Sequence, residues 1–153
     1  MNEEKLKEKH KVFEALLGRK KEEFSKISKY QQEQLNSINE ADLDQSEMIE
    51  NQRENMMREM RTESQSLDHL KSEINYLEDF QSFSAKTEVG PSTIIKTNIG
   101  NFVVAVPEHL FGVDGNEYTG ISTKSPAYEA MVGKKAGDKL KFNGQDVEIK
   151  EVV

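Results

Sequence analysis

The sequence predicts an α+β protein in which a long antiparallel helical hairpin is followed by a small antiparallel β domain with one short helix. Over residues 3–80 the apolar residues recur at alternating spacings of three and four, which is typical of a coiled-coil seam. From residue 93 onward the period becomes two and β-branched residues dominate, which is typical of strands. We therefore predict a coiled coil over residues 1–82 and a β domain over residues 83–153.

The seam has two arms that can pair when the chain folds back on itself. The first arm has its seam positions at Leu6, His10, Phe13, Leu17, Lys20, Phe24, Ile27, Gln31, Gln34 and Ile38, and the second at Ile49, Arg53, Met56, Met60, Glu63, Leu67, Leu70, Ile74 and Leu77. When the chain is folded so that paired positions sum to 87, the two series register. The predicted pairs are then Ile38–Ile49, Ile27–Met60, Leu17–Leu70, Phe13–Ile74 and His10–Leu77. Arms of about 35 residues would make a rod roughly 50 Å long.

An acidic stretch over residues 40–50 forms the predicted tip of this hairpin. It carries no basic residue and five carboxylates, namely Glu40, Asp42, Asp44, Glu47 and Glu50. Carboxylates crowded without counter-charges repel one another and bind a hard cation readily. Asp44 or Ser46 also suits the N-cap of the second helix, with Glu47 in its first turn. The stretch is therefore either a solvated, capped turn or a set of ligands that projects from the hairpin.

Composition excludes several classes of function. The net charge of −7 argues against a nucleic-acid binder that neutralises phosphates. The chain has no cysteine, so disulfides, thiol catalysis and thiolate zinc sites are excluded. No apolar run approaches the length of a membrane span and the charged start does not resemble a signal peptide, so we expect a cytoplasmic protein without membrane contact.

The β domain is predicted from strand runs and turn signals. Strands are expected at 93–97, 101–106 and 117–122, and a last hairpin at 139–142 and 145–152. Gly100 marks the first hairpin turn, and Asn143-Gly144 is a strong signal for the last one. Between them, Pro126 opens a short helix that Gly133 ends.

Two separated stretches carry motif-like residue patterns, namely residues 120–138 and the acidic tip. Residues 120–126 (GISTKSP) and 130–138 (AMVGKKAGD) are similar to the C-terminal signature of the bacterial Gre transcript cleavage factors, G-x-I-S-x-x-S-P followed by A-L-x-G-K-x-x-G-D. At the tip, residues 44–50 (DQSEMIE) resemble the family's D-L-S-E-N-A-E and keep its acids and serine at the same spacing. Gln45, Met48, Ile49 and Asn51 differ from the family pattern.

The resemblance implies a protein that binds RNA polymerase and is not itself an enzyme. Its C-terminal domain, FKBP-like in fold, would dock at the rim of the secondary channel, and its coil would enter the channel near the RNA 3′ end. Tip carboxylates would help hold a second Mg²⁺ at the polymerase active site. Asp44 and Glu47, three residues apart, are the expected ligands, Asp42 is a reserve ligand, and Glu50 is expected to support the tip. The protein alone is expected to bind no cofactor.

The resemblance also implies a docking loop made by Ser125, Pro126 and Ile121. Each residue has a structural alternative, because Pro126 and Ser125 suit a helix start and Ile121 suits a strand core. Gly133, Gly137 and Asp138 are expected to be structural.

Several functions are consistent with these observations. The first is a monomeric elongation factor that stimulates cleavage of backtracked RNA by the polymerase. The second is a secondary-channel regulator that does not stimulate cleavage, and the third is a coiled-coil adaptor that does not bind polymerase. A prolyl isomerase is the least favoured, because the β domain has few aromatic residues with which to build an apolar pocket.

Overall fold

A computed structural model describes the backbone of residues 2–40, 47–80 and 84–153, and the side chains of residues 3–36, 50–80 and 84–153. The predicted α+β class is confirmed, with two long helices followed by a sheet domain. Helix α1 spans Asn2–Glu40 and helix α2 spans Glu47–Glu78. Within the described part of the chain, no helix is both long enough and apolar enough to cross a bilayer.

The chain forms two compact units. One comprises Gly18–Tyr76, and the other comprises Met1–Leu17 together with Leu77–Val153. The sheet domain therefore shares a unit with the first turns of α1 and the end of α2. The predicted domain boundary between residues 82 and 83 stays a prediction.

In the unit Gly18–Tyr76, α1 and α2 pack antiparallel along the predicted seam. Polar contacts cross this seam: Gln31 Nε2 donates to the Met60 carbonyl at 3.1 Å and to Ser64 Oγ at 2.9 Å. Gln34 Nε2 lies 3.5 Å from Glu59 Oε2, and Lys20 Nζ lies 3.6 Å from Glu73 Oε1.

These contacts show that the predicted register is wrong. The rule that paired positions sum to 87 places Ile27 opposite Met60, whereas Gln31 contacts Met60. The second unit shows the same displacement, because the Phe13 ring packs edge-on against Phe80 at 5.4 Å and not against Ile74. A 3-4 repeat matches itself at every heptad, so the apolar pattern alone did not fix the register. The predicted pair Ile38–Ile49 lies outside the described side chains.

One predicted seam position in the first turns of α1, His10, is also wrong. His10 is exposed and contacts Glu14 at 2.9 Å, while its neighbour Lys9 is fully buried. The reason is that this part of α1 packs on the sheet as well as on α2, so the buried stripe is wider than a coiled-coil seam. Val12 and Leu16 are completely buried on the same face.

The sheet has six strands in the order β3-β4-β2-β1-β6-β5. The strands are β1 Ile94–Thr97, β2 Gly100–Val104, β3 Glu108–Val113, β4 Asn116–Ile121, β5 Lys139–Phe142 and β6 Gln145–Val152. The short helix α3, Pro126–Met131, lies between β4 and β5 in sequence. The predicted hairpins at Gly100 and at Asn143-Gly144 are confirmed.

Two features of the sheet differ from the prediction. Strand β3 was not predicted, although Asp114-Gly115, both with positive φ, supplies the turn signal that joins it to β4. The sheet is also not wholly antiparallel, because β4 pairs with β2 in parallel. After β2 the chain forms β3 at the edge of the sheet and then returns as β4, which lies between β2 and β3. Strands β2 and β3 are therefore consecutive in sequence but not adjacent in the sheet.

The return of β4 requires a close backbone approach at Gly120. A Cβ atom there would overlap the carbonyl oxygen of Val106 and lie 2.8 Å from the amide nitrogen of Glu108. Both obstacles are main-chain atoms, which cannot rotate away as a side chain can. Glycine is therefore needed where β4 passes the segment that leads into β3.

Alternating residues of the central strands face two different cores. Ile94 and Val103 pack in a cluster with Val12 and Leu16 of α1. Their neighbours Ile95 and Val104 point to the other face and pack with residues of α3. Both faces of the sheet are thus covered by helix. Successive side chains of a strand point to opposite faces, so two consecutive apolar residues are both buried only when both faces are covered.

A polar network ties α1 to the rim of the first core. Tyr118 donates its hydroxyl proton to Glu8 Oε1 at 2.6 Å, and Lys96 Nζ lies 2.8 Å from the same oxygen. Glu151 lies 3.0 Å from Lys5 and 3.8 Å from Lys96. Partial burial alone would raise the pKa of the Glu8 carboxyl, but its bonds to Lys96 and Tyr118 outweigh this effect and lower the pKa. Burial and the bond to Glu8 raise the pKa of Tyr118 above its usual range.

Lys9 of α1 is a charged residue that is buried in this unit. Its Nζ donates to the main-chain oxygens of Ser84 at 3.2 Å and Val153 at 3.1 Å, which joins α1 to the segment after α2 and to the residue that follows β6. Burial, with a smaller contribution from Lys86, lowers the pKa of Lys9 to about 8. Two main-chain oxygens only partly replace the water that this charge has lost.

We expect Gly120→Ala to destabilise the protein by about 2 kcal/mol or more, because the new methyl group overlaps main-chain atoms. Urea unfolding at 25 °C measures the change. The matched control is Gly18→Ala, which adds the same methyl group to α1 where nothing lies within 4 Å. This control should raise the stability by up to about 1 kcal/mol, because alanine favours a helix over glycine. An equal effect of the two substitutions would contradict the close approach.

We expect Lys9 to make stability rise with pH between about 8 and 10.5. Below pH 8 both the folded and the unfolded chain hold the proton, so the cost of the buried charge is fully present. Between the two pKa values only the unfolded chain holds it, and stability increases by at most about 1.4 kcal/mol per pH unit.

The measurement is urea unfolding at several pH values for the wild type, for Lys9→Met and for Lys7→Met, which removes an exposed lysine of the same helix. Over this range the wild type should gain stability relative to Lys9→Met, because only the wild type loses the buried charge. A constant or falling difference would show that the buried ammonium does not titrate there.

Candidate docking surface and acidic tip

The loop between β4 and α3 is held by the hydroxyl of Ser125. This hydroxyl donates to the Ser122 carbonyl at 2.8 Å and accepts from the Tyr128 backbone N–H at 3.2 Å. The backbone N–H of Ser125 also donates to the Ser122 carbonyl at 3.1 Å. Ser125 is therefore the N-cap of α3, with extended backbone angles, and Pro126 is its first residue.

The three predicted docking residues have different surroundings. Pro126 is exposed, Ser125 is half-buried under its capping bonds, and Ile121 is only 7% exposed in the core beneath α3. A partner that approaches this loop would first meet Pro126 and the exposed side chains of Thr123 and Lys124. The docking role of the predicted residues stays a prediction.

The second half of the signature forms the turn between α3 and β5. The backbone N–H of Gly133 donates to the Val89 carbonyl at 2.9 Å, and that of Val89 donates to the Lys134 carbonyl at 2.8 Å. Asp138 Oδ2 accepts from the Lys135 backbone N–H at 2.8 Å and closes the following turn. Gly133 has a φ of 79°, which suits glycine after a helix. These contacts give the motif residues a structural role.

Two large apolar side chains, Val132 and Leu110, are exposed and were not predicted as contacts. Val132, which directly follows α3, is 47% exposed, and Leu110 on the edge strand β3 is 59% exposed. Neither position carries a sequence signal, because strand β3 was not predicted and Val132 continues an apolar run with Met131. Single exposed apolar residues are common on protein surfaces, so they do not by themselves define a site.

The predicted metal ligands Asp42, Asp44 and Glu47 lie outside the described side chains. The structure places α1 up to Glu40 and α2 from Glu47, so the acidic stretch connects the two helices in sequence. Among the described residues, no group of three or more potential metal-ligating side chains comes together.

The described part of α2 that follows the tip is not uniformly acidic. Arg53, Arg58 and Arg61 share one surface with Glu50, Glu54 and the half-exposed Met57. The side chains Arg53, Met57 and Arg61 are spaced four apart and so follow one stripe of the helix. The negative charge of the tip is therefore followed at once by guanidinium groups.

These features define an α+β protein with an antiparallel helical hairpin whose connecting segment is acidic and a mixed sheet with a capped helix–turn motif. No protein-family model matches the chain, and no curated protein matches it either.

Solved structures similar to the chain include GreA factor homolog 1 (Gfh1) of Thermus thermophilus, at 17% identity over 93% of this chain and 92% of that one, with a TM-score of 0.33. Gfh1 of Thermus aquaticus is 14% identical over 94% and 92% of the two chains, with a TM-score of 0.34. At TM-scores this low, the similarity carries no argument about family or function.

We expect Ser125→Ala to destabilise the protein by about 1 kcal/mol, because the N–H of Tyr128 and the carbonyl of Ser122 each lose a partner. Thermal or urea unfolding measures the loss. Thr123→Ala, two residues away at an exposed position of the same loop, is the control and should change stability by less than about 0.5 kcal/mol. Equal stability of the two variants would rule out the capping role.

Proposed function

We propose that the protein binds bacterial RNA polymerase at the rim of its secondary channel and stimulates Mg²⁺-dependent cleavage of backtracked RNA. In this proposal the phosphorus–oxygen bond is broken in the active site of the polymerase, so the protein is not an enzyme in its own right. We further propose that the protein acts as a monomer in the cytoplasm and does not contact a membrane. It draws on the Gre-like residues at positions 44–50 and 120–138.

The observation that carries the proposal is the position of the acidic stretch. Two helices pack antiparallel in the unit Gly18–Tyr76, as the contacts Lys20–Glu73 and Gln34–Glu59 show. The segment that joins such helices is the end of the hairpin. From Gly18 to Glu40, α1 is about 35 Å long, and an α-helix with its side chains is only about 10–12 Å across. Such a hairpin suits the delivery of carboxylates into a narrow channel.

The proposed chemistry requires oxygen ligands at that end. In two-metal phosphodiester hydrolysis, one ion activates the attacking water and the other stabilises the leaving oxygen. Mg²⁺ prefers a few carboxylates together with water. In this proposal Asp44 and Glu47 contribute carboxylate oxygens to an ion shared with the polymerase, Asp42 is the reserve ligand, and Glu50 supports the tip. In this proposal the protein does not bind the ion tightly in the absence of the polymerase.

Docking is assigned to the exposed part of the β4–α3 loop. Pro126, with its ring fixed at the first position of α3, offers an apolar contact, and Ser125 holds the loop in shape through its cap. Ile121 lies beneath the loop and supports it from the core. The motif residues thus act in two ways, with Pro126 at the surface and the other two behind it.

A secondary-channel regulator without cleavage activity is the second candidate. It is favoured by the tip residues that depart from the Gre pattern, among them Asn51, which is exposed on the first turns of α2 where the family usually has tyrosine. Such a protein would occupy the channel without completing the ion's ligand shell. The same assay separates the two functions, because only the first yields short 3′ RNA fragments.

We expect Asp44→Ala combined with Glu47→Ala to reduce cleavage by more than about tenfold, because two oxygen ligands of the shared ion are lost. Polymerase binding should be unchanged, because the docking loop is intact. The assay follows RNA length in a stalled, backtracked elongation complex with Mg²⁺, and a pull-down measures binding. The matched control, Glu54→Ala with Asp68→Ala, removes two exposed acids from α2 outside the tip.

Each result of this experiment has one meaning. Normal cleavage by the tip variant would refute the assignment of Asp44 and Glu47. Binding by the wild type without any RNA fragments would favour the regulator. Failure of the wild type to capture polymerase would favour the adaptor hypothesis and would refute both polymerase functions.

A further inference from the structure

The register of the helical hairpin differs from the register predicted from its apolar repeat. In the unit Gly18–Tyr76, Lys20 pairs with Glu73 and Gln34 with Glu59. Ile27 lies midway between Lys20 and Gln34 in sequence, so it is level with Ser66 of α2, which is next to the seam residue Leu67. The register predicted from the apolar repeat, in which paired positions sum to 87 and which is called the apolar register below, would instead place Ile27 against Met60, about one heptad away.

We propose that the polar contacts across the seam form a register lock, which selects the observed register over the apolar one. The lock consists of Lys20–Glu73, Gln34–Glu59 and the bonds of Gln31 to Met60 and Ser64. The inference is independent of the proposed function, because it concerns only the hairpin itself.

The burial of the lock explains how it discriminates. The side chains of Lys20 and Glu73 are 8% and 9% exposed, and the carboxylate of Glu73 also lies 3.5 Å from His69 Nε2. In the apolar register Lys20 would lie opposite Leu67. The ammonium of Lys20 and the carboxylate of Glu73 would then each be buried without the other. Separating a buried ion pair costs far more than the intact pair contributes, so the pair acts mainly against the wrong register.

Two buried polar atoms in the seam lower the stability of the folded hairpin. Among the described residues, the buried oxygens Gln34 Oε1 and Glu63 Oε2 have no hydrogen-bond partner. A buried polar atom without a partner is unfavourable. An apolar residue at either position would avoid that cost, whereas a polar residue at a seam position specifies the register.

The experiment uses disulfide cross-linking, because the chain has no cysteine of its own. Ile27→Cys is combined either with Leu67→Cys, which reports the observed register, or with Met60→Cys, which reports the apolar one. A disulfide needs its two Cα atoms within about 7 Å, so a pair one heptad out of register does not close.

The two pairs are placed in the wild type, in an unlocked variant and in a control. The unlocked variant carries Lys20→Leu, Gln31→Leu, Gln34→Leu and Glu73→Leu. The control carries Glu22→Leu, Lys26→Leu, Gln32→Leu and Gln65→Leu, which remove the same residue types from exposed positions. Cross-linking rates under mild oxidation are compared with the rates in urea.

We expect the wild type and the control to form only the 27–67 disulfide faster than the urea-unfolded chain. In the unlocked variant the 27–60 disulfide should form at least about tenfold faster than in the wild type, as loss of even one such contact predicts. An unlocked variant that still closes only the 27–67 pair would overturn the proposal, as would a wild type that closes the 27–60 pair.

A charge-reversal pair keeps the test decisive if the unlocked variant does not fold. Lys20→Glu places two carboxylates at the lock and should shift cross-linking from the 27–67 to the 27–60 pair. Adding Glu73→Lys restores opposite charges and should return it to the 27–67 pair. A double variant that fails to recover the 27–67 pattern would refute the lock.

Discussion

The burial of one face of α1 against the sheet is the constraint on which the rest of the sheet unit depends. Val12 and Leu16 are fully buried there, and Phe13 packs its ring against Phe80 beyond the end of α2. Lys9 is buried on the same face of α1, and its ammonium donates to the main-chain oxygens of Ser84 and Val153. The ends of both long helices are therefore part of the sheet domain's core and not a separate stem.

The polar groups around this core direct the packing more than they strengthen it. Glu8 receives both the Tyr118 hydroxyl and the Lys96 ammonium, and so fixes the rotation of α1 over the sheet. The pairs across the hairpin seam have the corresponding effect on the sliding of α1 against α2. In both places the charges are partly or largely desolvated, so their contribution to stability is modest while a misplaced partner is costly.

The Gre-like signature has a physical meaning of its own in this fold. Gly120 permits the close passage of two chain segments, Ser125 caps α3, and Asp138 closes the turn before β5. These roles explain why such residues occur at these spacings without reference to any partner. The proposed polymerase binding therefore rests on the acidic stretch and on the exposed surface of Pro126, which also begins α3.

The sequence alone determined the kinds of element and most of their limits. The change of period from 3-4 to 2 separated helices from strands, and local turn chemistry placed α3 and the last hairpin. These signals are local, because each depends on residues within a few positions of one another.

Tertiary structure decided the features that depend on distant neighbours. The parallel pairing of β2 with β4, the burial of Lys9 in place of His10 and the register of the hairpin all required knowledge of what lies opposite. A repeating apolar pattern fits several registers, and in the proposed register lock the cost of burying Lys20 and Glu73 apart helps to distinguish among them. The sequence thus determined which surfaces are buried, and long-range contacts determined which surfaces meet.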